Sequence, residues 1–232
     1  MPYAEMLFED RGDAGRRLAE RLKPYAGEHP VVFALPRGGV PVGFEISRAL
    51  DAPLEVIVAR KLGAPGQPEF GIGAVAPGGV RILNERAVQA LGIPEDYLEW
   101  VSDQESAEAE RRLRLFRGDR PYPDLETRTA ILVDDGLATG VTARAALLAL
   151  NRLNPCRLIL AVPVCAPQTA ELLRPETDDL ICLHAPTDLE AIGLWYRDFE
   201  QVPDEEVIRL LEEARHPTAS DVADEDTGPV ER

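Results

Sequence analysis

The stretch ILVDDGLATGVTARAAL at residues 131–147 constrains the fold of this chain more than any other. An apolar run ends in two adjacent aspartates, and a short loop of small and hydroxyl-bearing residues then leads into a helix-like pattern. Consecutive apolar residues without alternation are typical of a strand that is buried on both faces. Such a strand needs helices on both sides of its sheet, so the stretch predicts an α/β fold.

Other segments of the chain alternate between strand-like and helix-like patterns. We therefore expect a mostly parallel central sheet with helices on both faces, whose ligands bind beyond the carboxyl ends of the strands. The glycines and prolines within 60–70 predict a loop, and those at 77–79 predict the turn of a hairpin. The predicted strands are 31–35, 54–59, 71–76, 80–83, 129–133, 157–164 and 179–184, and the predicted helices include 13–22 with Asp13 as its cap, 94–116, 141–150 and 204–215.

The domain organisation is expected to be simple. Residues 1–215 are predicted to form a single domain, in which 84–128 is a largely helical insertion that forms a hood. The long charged helix at 94–116 is compatible with a lid, a dimer surface or a solvated face. Residues 216–232 are polar and acidic, which predicts a disordered tail.

The charge and composition of the chain argue against several classes of protein. A net charge of −16 disfavours a general binder of nucleic acids or of anionic membranes. No segment approaches the roughly 20 apolar residues of a membrane span, and the N-terminus lacks the basic and apolar regions of a signal peptide. The three cysteines form no Cys-x-x-Cys pair and are interpreted as small apolar residues in a reducing compartment. We therefore expect a cytoplasmic protein without nucleic-acid or membrane partners.

The loop after the paired aspartates has the chemistry of a ribose-phosphate site. Free backbone N–H groups at a helix N-terminus bind anions, and Gly140 lets a phosphate approach the backbone closely. Thr139 and Thr142 add hydroxyl donors, while Asp134 and Asp135 can accept hydrogen bonds from sugar hydroxyls. The alternative is a solvated Asp-Asp-Gly turn in which a threonine is an ordinary helix cap.

The segment ILVDDGLATGVT resembles the signature of type I phosphoribosyltransferases, which binds 5-phosphoribosyl-1-pyrophosphate (PRPP). The resemblance implies that Asp134 and Asp135 are the acidic pair of that family. It implies that the 5-phosphate loop consists of Ala138, Thr139, Gly140, Val141 and Thr142. The whole pattern is most similar to bacterial phosphoribosyltransferase-domain proteins of unassigned substrate.

A second segment, ALPRGGV, resembles the pyrophosphate loop of the same family. The resemblance covers Pro36, Arg37, Gly38 and Gly39, and it implies a cis peptide bond between Pro36 and Arg37. Without the neighbouring signature, this segment would equally well be an ordinary turn.

A third segment, ARKLGAPGQPEFG, resembles the flexible catalytic loop of the family. The resemblance implies that Arg60 and Lys61 reach the pyrophosphate when the loop closes. Lysine occurs only at positions 23 and 61 of this chain, which makes Lys61 more notable. The alternative is a pair of exposed cations on a surface loop.

The implied activity is transfer of the phosphoribosyl group from PRPP to a nitrogen base with release of pyrophosphate. Mg²⁺ is the implied cofactor, held mainly by PRPP with Asp134 and Asp135 assisting, and Arg37 and Lys61 would stabilise the leaving group. The alternative function is a non-catalytic sensor or regulatory subunit that binds PRPP or another nucleotide. A weaker alternative is hydrolysis or phosphorolysis of a phosphorylated sugar. The resemblance also suggests a homodimer.

The identity of the acceptor base stays open at this point. Ala138 occupies a position where hypoxanthine-guanine enzymes of the family carry an aspartate, whereas adenine enzymes carry Ala-Thr-Gly there. Glu69 is a candidate acid or base from the catalytic loop. Trp195 and Tyr196 are equally compatible with stacking on a planar base and with packing, and His184 is interpreted as structural.

Overall fold

The computed structural model describes residues 8–216. The predicted disordered tail lies outside the described residues, apart from His216. Within this range the helices are α1 (Arg11–Leu22), α2 (Gly39–Leu50), α3 (Glu85–Leu91), α4 (Glu95–Arg117), α5 (Val141–Asn151), α6 (Pro167–Leu173) and α7 (Asp204–Arg215). The strands are β1 (Val31–Ala34), β2 (Leu54–Val56), β3 (Arg60–Ala64), β4 (Gln67–Ala76), β5 (Val80–Leu83), β6 (Thr129–Val133), β7 (Arg157–Val164) and β8 (Asp179–His184).

The central sheet has five parallel strands in the order β2-β1-β6-β7-β8. Its two middle strands, β1 and β6, are buried along their whole length. Alternate residues of each strand point into two separate apolar cores: Phe33 and Leu132 into one, Val32 and Ile131 into the other. Both faces of the sheet are therefore covered, which is why neither strand shows an alternating sequence.

Different elements cover the two faces. Helices α1, α2 and α7 contribute apolar side chains to the core on one face, and α5 with part of β4 and β5 covers the other. The order of the strands reverses at β1, which is followed along the chain by β2 on one side and paired with β6 on the other. A reversal of this kind leaves a crevice at the carboxyl ends of the two strands, where ligands bind in α/β sheets.

The segment 60–70 differs from its prediction as a loop. Strands β3 and β4 form an antiparallel hairpin around Gly66, and β5 joins them in a second sheet of three strands. The glycines and prolines of this segment led to the prediction of a loop. In the structure they lie at a tight turn and beside the register shifts at Gly63. The predicted hairpin of 71–76 with 80–83 is confirmed.

Helix α4 supports the second sheet and is not merely a solvated face. Leu98 and Val101 pack against Leu62 and Ile72 of the hairpin. Phe116, near the other end of the helix, lies in the core shared with α2 and α7. The predicted helical insertion 84–128 is helical over α3 and α4 but not beyond Arg117, and its description as a hood stays a prediction.

The start of α1 and the end of β2 differ from those expected. Helix α1 begins at Arg11 because Asp10, rather than Asp13, is its cap: Asp10 Oδ1 accepts a hydrogen bond from the Asp13 amide at 2.7 Å. Strand β2 ends at Val56 instead of residue 59. Among the residues described here, no helix is long and apolar enough to cross a membrane.

Candidate functional site

Two of the three predicted loops meet at the carboxyl ends of β1 and β6. Ala34 and Val133 are paired at the ends of these strands, and the amide of Leu35 donates to the carbonyl oxygen of Val133 at 2.9 Å. The loop at 36–39 follows the first strand, and the acidic pair Asp134–Asp135 follows the second. Parallel pairing of adjacent strands therefore brings the two motifs together, as the sequence predicts.

The predicted pyrophosphate loop packs directly against the acidic pair. The peptide bond between Pro36 and Arg37 is cis, as the family resemblance implied. An added Cβ at Gly38 would lie 1.9 Å from Asp135 Oδ2, and one at Gly39 would lie 2.7 Å from the carbonyl oxygen of Val133. Only glycine fits at either position, so the two glycines are required for this close approach.

Each carboxylate of the acidic pair keeps one oxygen available. Asp134 Oδ1 accepts a hydrogen bond from the Asp135 amide at 2.9 Å, and Asp135 Oδ2 accepts one from Arg11 Nε at 2.8 Å. The other two oxygens, Asp134 Oδ2 and Asp135 Oδ1, accept no hydrogen bond from the residues the structure describes. Two free carboxylate oxygens on neighbouring residues form an acceptor pair suited to two adjacent hydroxyl groups.

Burial changes the protonation of this pair. It raises the pKa of Asp134 well above its usual value, and the negative charge of Asp135 raises it further. Burial also raises the pKa of Asp135, although the hydrogen bond from Arg11 opposes that change. Two adjacent carboxylates that are largely shielded from water therefore hold a proton more firmly than exposed carboxylates do.

Arg11 and Tyr196 are site residues that the sequence did not reveal. Arg11 pairs with the side chain of Asp135, whereas the Tyr196 hydroxyl donates to the Asp135 carbonyl oxygen at 2.6 Å. Arg11 is the first residue of α1, where the helix dipole disfavours a cation. The sequence carried no such signal, because it predicted that the helix begins at residue 13, and the partner of Arg11 is 124 residues away.

The predicted 5-phosphate loop has the expected form. Gly140 has a φ of 69°, and α5 begins at the next residue, Val141. The amides of residues 139–142 donate to no acceptor in the part of the chain that the structure describes, and the Thr139 side chain is exposed. These amides and the dipole of α5 together form an anion site.

Neighbouring elements hold this loop in place. Leu137 accepts a hydrogen bond from Ala166 and donates one to Val164, at 2.9 Å each, which anchors the loop to the end of β7. The Thr169 hydroxyl donates to the carbonyl oxygen of Ala138. The loop is therefore fixed at its base.

The three predicted cations are paired with carboxylates instead of facing the acidic pair. Arg37 Nη1 lies 3.5 Å from Asp204, at the start of α7. Arg60 Nε donates to Glu105 of α4 at 2.7 Å. Lys61 Nζ, on the exposed hairpin, donates to the backbone oxygen of Glu69 at 2.9 Å and to its side chain at 3.1 Å.

Trp195 and Tyr196 belong to an aromatic cluster with Phe8 and are both buried. The ring of His184 stacks on Trp195, with 5.8 Å between the centroids, and lies 5.6 Å from Phe8. The packing interpretation of these residues therefore fits the structure, because both side chains are buried in this cluster. The cluster stabilises the segment that reaches Asp135.

The oxygen atoms of the acidic pair fit Mg²⁺, which prefers hard oxygen ligands. Among the described residues, no group of three or more histidine, cysteine, aspartate or glutamate side chains could hold a metal ion. Two carboxylates alone do not complete an octahedral shell, so a bound Mg²⁺ would need further oxygens from a ligand and from water.

Known proteins share both the sequence and the fold of this chain. The family model for the phosphoribosyl transferase domain matches residues 5–194, which include all three loops. The chain belongs to this family. The parallel sheet with helices on both faces, predicted from the alternation of strand-like and helix-like segments, is confirmed.

Relatives of this phosphoribosyl transferase domain occur in bacteria. Proteins of Mycobacterium tuberculosis strains CDC 1551 and H37Rv, provisionally named phosphoribosyl transferases, are each 42% identical to it over 208 residues. The match covers 90% of this chain and 47% of each relative, so the chain spans about half of their length. The crystal structure of TT1426 from Thermus thermophilus is 41% identical, with a TM-score of 0.75, and the match covers 90% of this chain and 99% of that one.

Proposed function

We propose that this chain transfers the 5-phosphoribosyl group of PRPP to a nitrogen base and releases pyrophosphate. One observation carries the proposal: an acidic pair with two free oxygens lies between a loop of free amides and a close-packed glycine loop. The arrangement offers three different environments, which suit the hydroxyls, the 5-phosphate and the leaving group of a phosphorylated sugar.

The ribose would lie over the acidic pair. Its 2′- and 3′-hydroxyls would donate to Asp134 Oδ2 and Asp135 Oδ1, which have no other donor among the described residues. The 5-phosphate would accept hydrogen bonds from the amides of residues 139–142 and from the hydroxyls of Thr139 and Thr142. The negative charge of the pair would also stabilise the positive charge that develops on the ribose ring.

Pyrophosphate would leave toward the loop at residues 36–39. A nitrogen atom of the acceptor forms a bond to C1 of the ribose while the bond to the pyrophosphate oxygen breaks, with inversion at C1. Bound Mg²⁺ supplies positive charge that stabilises the departing oxygens. The backbone amide of Gly38 is close enough to the acidic pair to serve the same leaving group, because Gly38 has no side chain to keep it away. The Gly39 amide instead donates to the carbonyl oxygen of Leu35 at 3.0 Å.

The basic residues of the site would change partners when PRPP binds. Arg60 and Lys61 are held by Glu105 and Glu69, and movement of the hairpin would transfer them to the pyrophosphate. Closure of the hairpin would also exclude water, which protects PRPP from hydrolysis. Arg37 would take part only if it leaves Asp204.

The proposal leaves the acceptor at the level of a nitrogen base, with a purine-like base as one candidate. Ala138 carries no group that could exchange a proton with a base. Glu69 is the remaining candidate for that role on the hairpin, and its side chain is 97% exposed.

A second candidate function is a PRPP or nucleotide sensor without catalysis. The pairing of Arg37, Arg60 and Lys61 with carboxylates favours it, because a sensor needs the ribose-phosphate site but not these cations. Location in the cytoplasm and assembly as a homodimer stay predictions from the sequence and the family.

Pyrophosphate release separates the two functions. The assay would incubate PRPP and Mg²⁺ with a panel of purines, pyrimidines and other nitrogen heterocycles, and detect pyrophosphate by a coupled enzyme. Release that depends on one class of base supports the transferase. PRPP binding without release for any base supports the sensor, and phosphate or pyrophosphate release without a base indicates hydrolysis.

A further inference from the structure

Arg11 is connected to the acidic pair more extensively than a surface ion pair would be. Its Nε donates to Asp135 Oδ2 at 2.8 Å, and its Nη1 donates to the carbonyl oxygen of Glu200 at 2.8 Å. The guanidinium lies 3.8 Å from the centroid of the Phe199 ring. The side chains of Arg11 and Asp135 are only 11% and 14% exposed. The planar guanidinium is therefore fixed by three separate contacts, a geometry that lysine cannot reproduce.

The same contacts extend to the glycine loop. An added Cβ at Gly38 would lie 3.2 Å from Arg11 Nε as well as 1.9 Å from Asp135 Oδ2. The pair formed by Arg11 and Asp135 thus fills the space between α1 and the loop at 36–39. Rotation of the Asp135 carboxylate away from α1 would break its hydrogen bond with Arg11.

The acidic pair is also asymmetric in charge. Asp135 has a cation in contact, whereas Asp134 has only the Asp135 amide as a hydrogen-bond donor among the described residues. When both carboxylates are ionised, they and the guanidinium together leave a net charge of about −1 facing the crevice, by simple charge counting. A site with that charge accepts hydroxyl hydrogen bonds well, but it attracts a free divalent cation less than two unpaired carboxylates would.

We propose that Arg11 is a positioning residue that fixes Asp135 as a ribose acceptor and prevents the acidic pair from capturing Mg²⁺ before PRPP arrives. This inference rests on the proposed function of the same site. Arg11 touches neither PRPP nor the metal in this account, since it acts through Asp135. The metal would then enter with PRPP, carried on the oxygens of the ligand.

Two measurements on Arg11→Gln test the proposal. The first is binding of Mn²⁺ alone, measured by electron paramagnetic resonance at pH 8, because Mn²⁺ can replace Mg²⁺ at oxygen ligands. The variant should bind Mn²⁺ at least about 10-fold more tightly than wild type, since removing the cation leaves two unpaired carboxylates. The second is calorimetric titration with PRPP and Mg²⁺, in which the variant should lose about 10- to 100-fold in affinity.

Two further variants provide the controls. Arg16→Gln removes an arginine from the same helix that is 58% exposed and pairs with Glu45, and it should leave both measurements unchanged. Arg11→Lys keeps the charge and loses the planar contacts. It should show no gain in Mn²⁺ binding and only part of the loss in PRPP affinity.

A comparison in the Asp135→Asn background keeps the proposal testable if Arg11→Gln alone does not fold. An Arg11→Gln/Asp135→Asn double variant should bind PRPP within about twofold of Asp135→Asn alone, because Arg11 acts through Asp135. A further loss of more than about 10-fold would show that Arg11 acts independently of Asp135 and would overturn the proposal. Unchanged Mn²⁺ and PRPP binding by a folded Arg11→Gln variant would overturn it as well. Absence of PRPP binding by wild type would instead contradict the proposed function.

Discussion

Gly38 and Asp135 lie so close together that a methyl group cannot be placed between them. A Cβ built on Gly38 would be 1.9 Å from Asp135 Oδ2 and 2.6 Å from its Cγ. Real Cβ atoms do not approach other heavy atoms so closely. The glycine loop after β1 and the acidic pair after β6 therefore form one rigid unit, although they are about 100 residues apart in the sequence.

Gly38→Ala should abolish PRPP binding without unfolding the protein. The added methyl group would push the Asp135 carboxylate away from Gly38 and disturb its hydrogen bond with Arg11. We expect at least a 100-fold loss of PRPP affinity by calorimetry, with the far-ultraviolet circular dichroism unchanged. Gly27→Ala is the matched control because no atom lies within 4 Å of its added Cβ. Wild-type affinity in Gly38→Ala would show that the contact has no role in binding.

Gly140→Ala should weaken binding of the 5-phosphate selectively. Gly140 has a φ of 69°, which costs about 1 kcal/mol for alanine, and the added Cβ would lie 2.5 Å from Thr169 Cγ2. We expect a loss of at least 10-fold in affinity for ribose 5-phosphate.

Gly78→Ala is the matched control for Gly140→Ala, because Gly78 has a φ of 76° but no atom within 4 Å of the added Cβ. It should lose a comparable amount of stability to backbone strain and keep its ribose 5-phosphate affinity. Equal losses of affinity in both variants would contradict the assignment of the loop.

Asp134→Asn should stabilise the free protein at neutral pH. Burial raises the pKa of Asp134 above that of an unfolded aspartate. Between the two pKa values the folded state holds more protons than the unfolded state, so stability falls as the pH rises through this window. Asparagine has no charge to bury and still accepts the hydrogen bond from the Asp135 amide.

The expected gain for Asp134→Asn at pH 7.5 is about 2–4 °C in Tm, the size that corresponds to about 1 kcal/mol in a chain of this length. Thermal unfolding at several pH values measures it. The difference from wild type should shrink as the pH falls toward the pKa of an unfolded aspartate. A variant that is less stable than wild type at every pH would contradict this account of the pair.

Glu69→Gln should have little effect on catalysis. The Glu69 side chain is 97% exposed where it pairs with Lys61, and exposed pairs contribute little. We expect the rate of pyrophosphate release to change by less than about threefold, whereas Lys61→Gln should lower it about 100-fold if Lys61 stabilises the leaving group. A 100-fold loss in Glu69→Gln would instead identify Glu69 as the acid or base that acts on the acceptor.

The sequence predicted the central sheet well because its strands are short apolar runs bounded by glycine, proline and aspartate. It also predicted that the loops at 36–39 and 134–142 meet, since parallel strands bring their carboxyl ends to one edge.

The sequence predicted a loop at 60–70, whereas the structure has a hairpin. In that segment the strand signal is weak, because the exposed residues 67–70 carry no apolar alternation.

The partners of the charged residues could not be predicted from the sequence. The pairing of Arg11 with Asp135 and that of Arg37 with Asp204 join distant segments, and both depend on how α1 and α7 pack on α2. Charge and spacing show that Arg37 is near the crevice, but the direction of its side chain depends on this tertiary packing. Tyr196 is a further example, because its aromatic character was equally compatible with stacking on a base and with packing, and it gave no sign of the hydrogen bond to the backbone of Asp135.

Calorimetric titration of PRPP, with and without Mg²⁺, tests the central claim most directly. It would compare wild type with an Asp134→Asn/Asp135→Asn double variant, which keeps the size of both side chains and removes their charge. The account predicts Mg²⁺-dependent binding to wild type and at least a 100-fold loss in the double variant. Binding of equal strength to both proteins, or no binding to wild type, would contradict the assignment of the acidic pair as the ribose site.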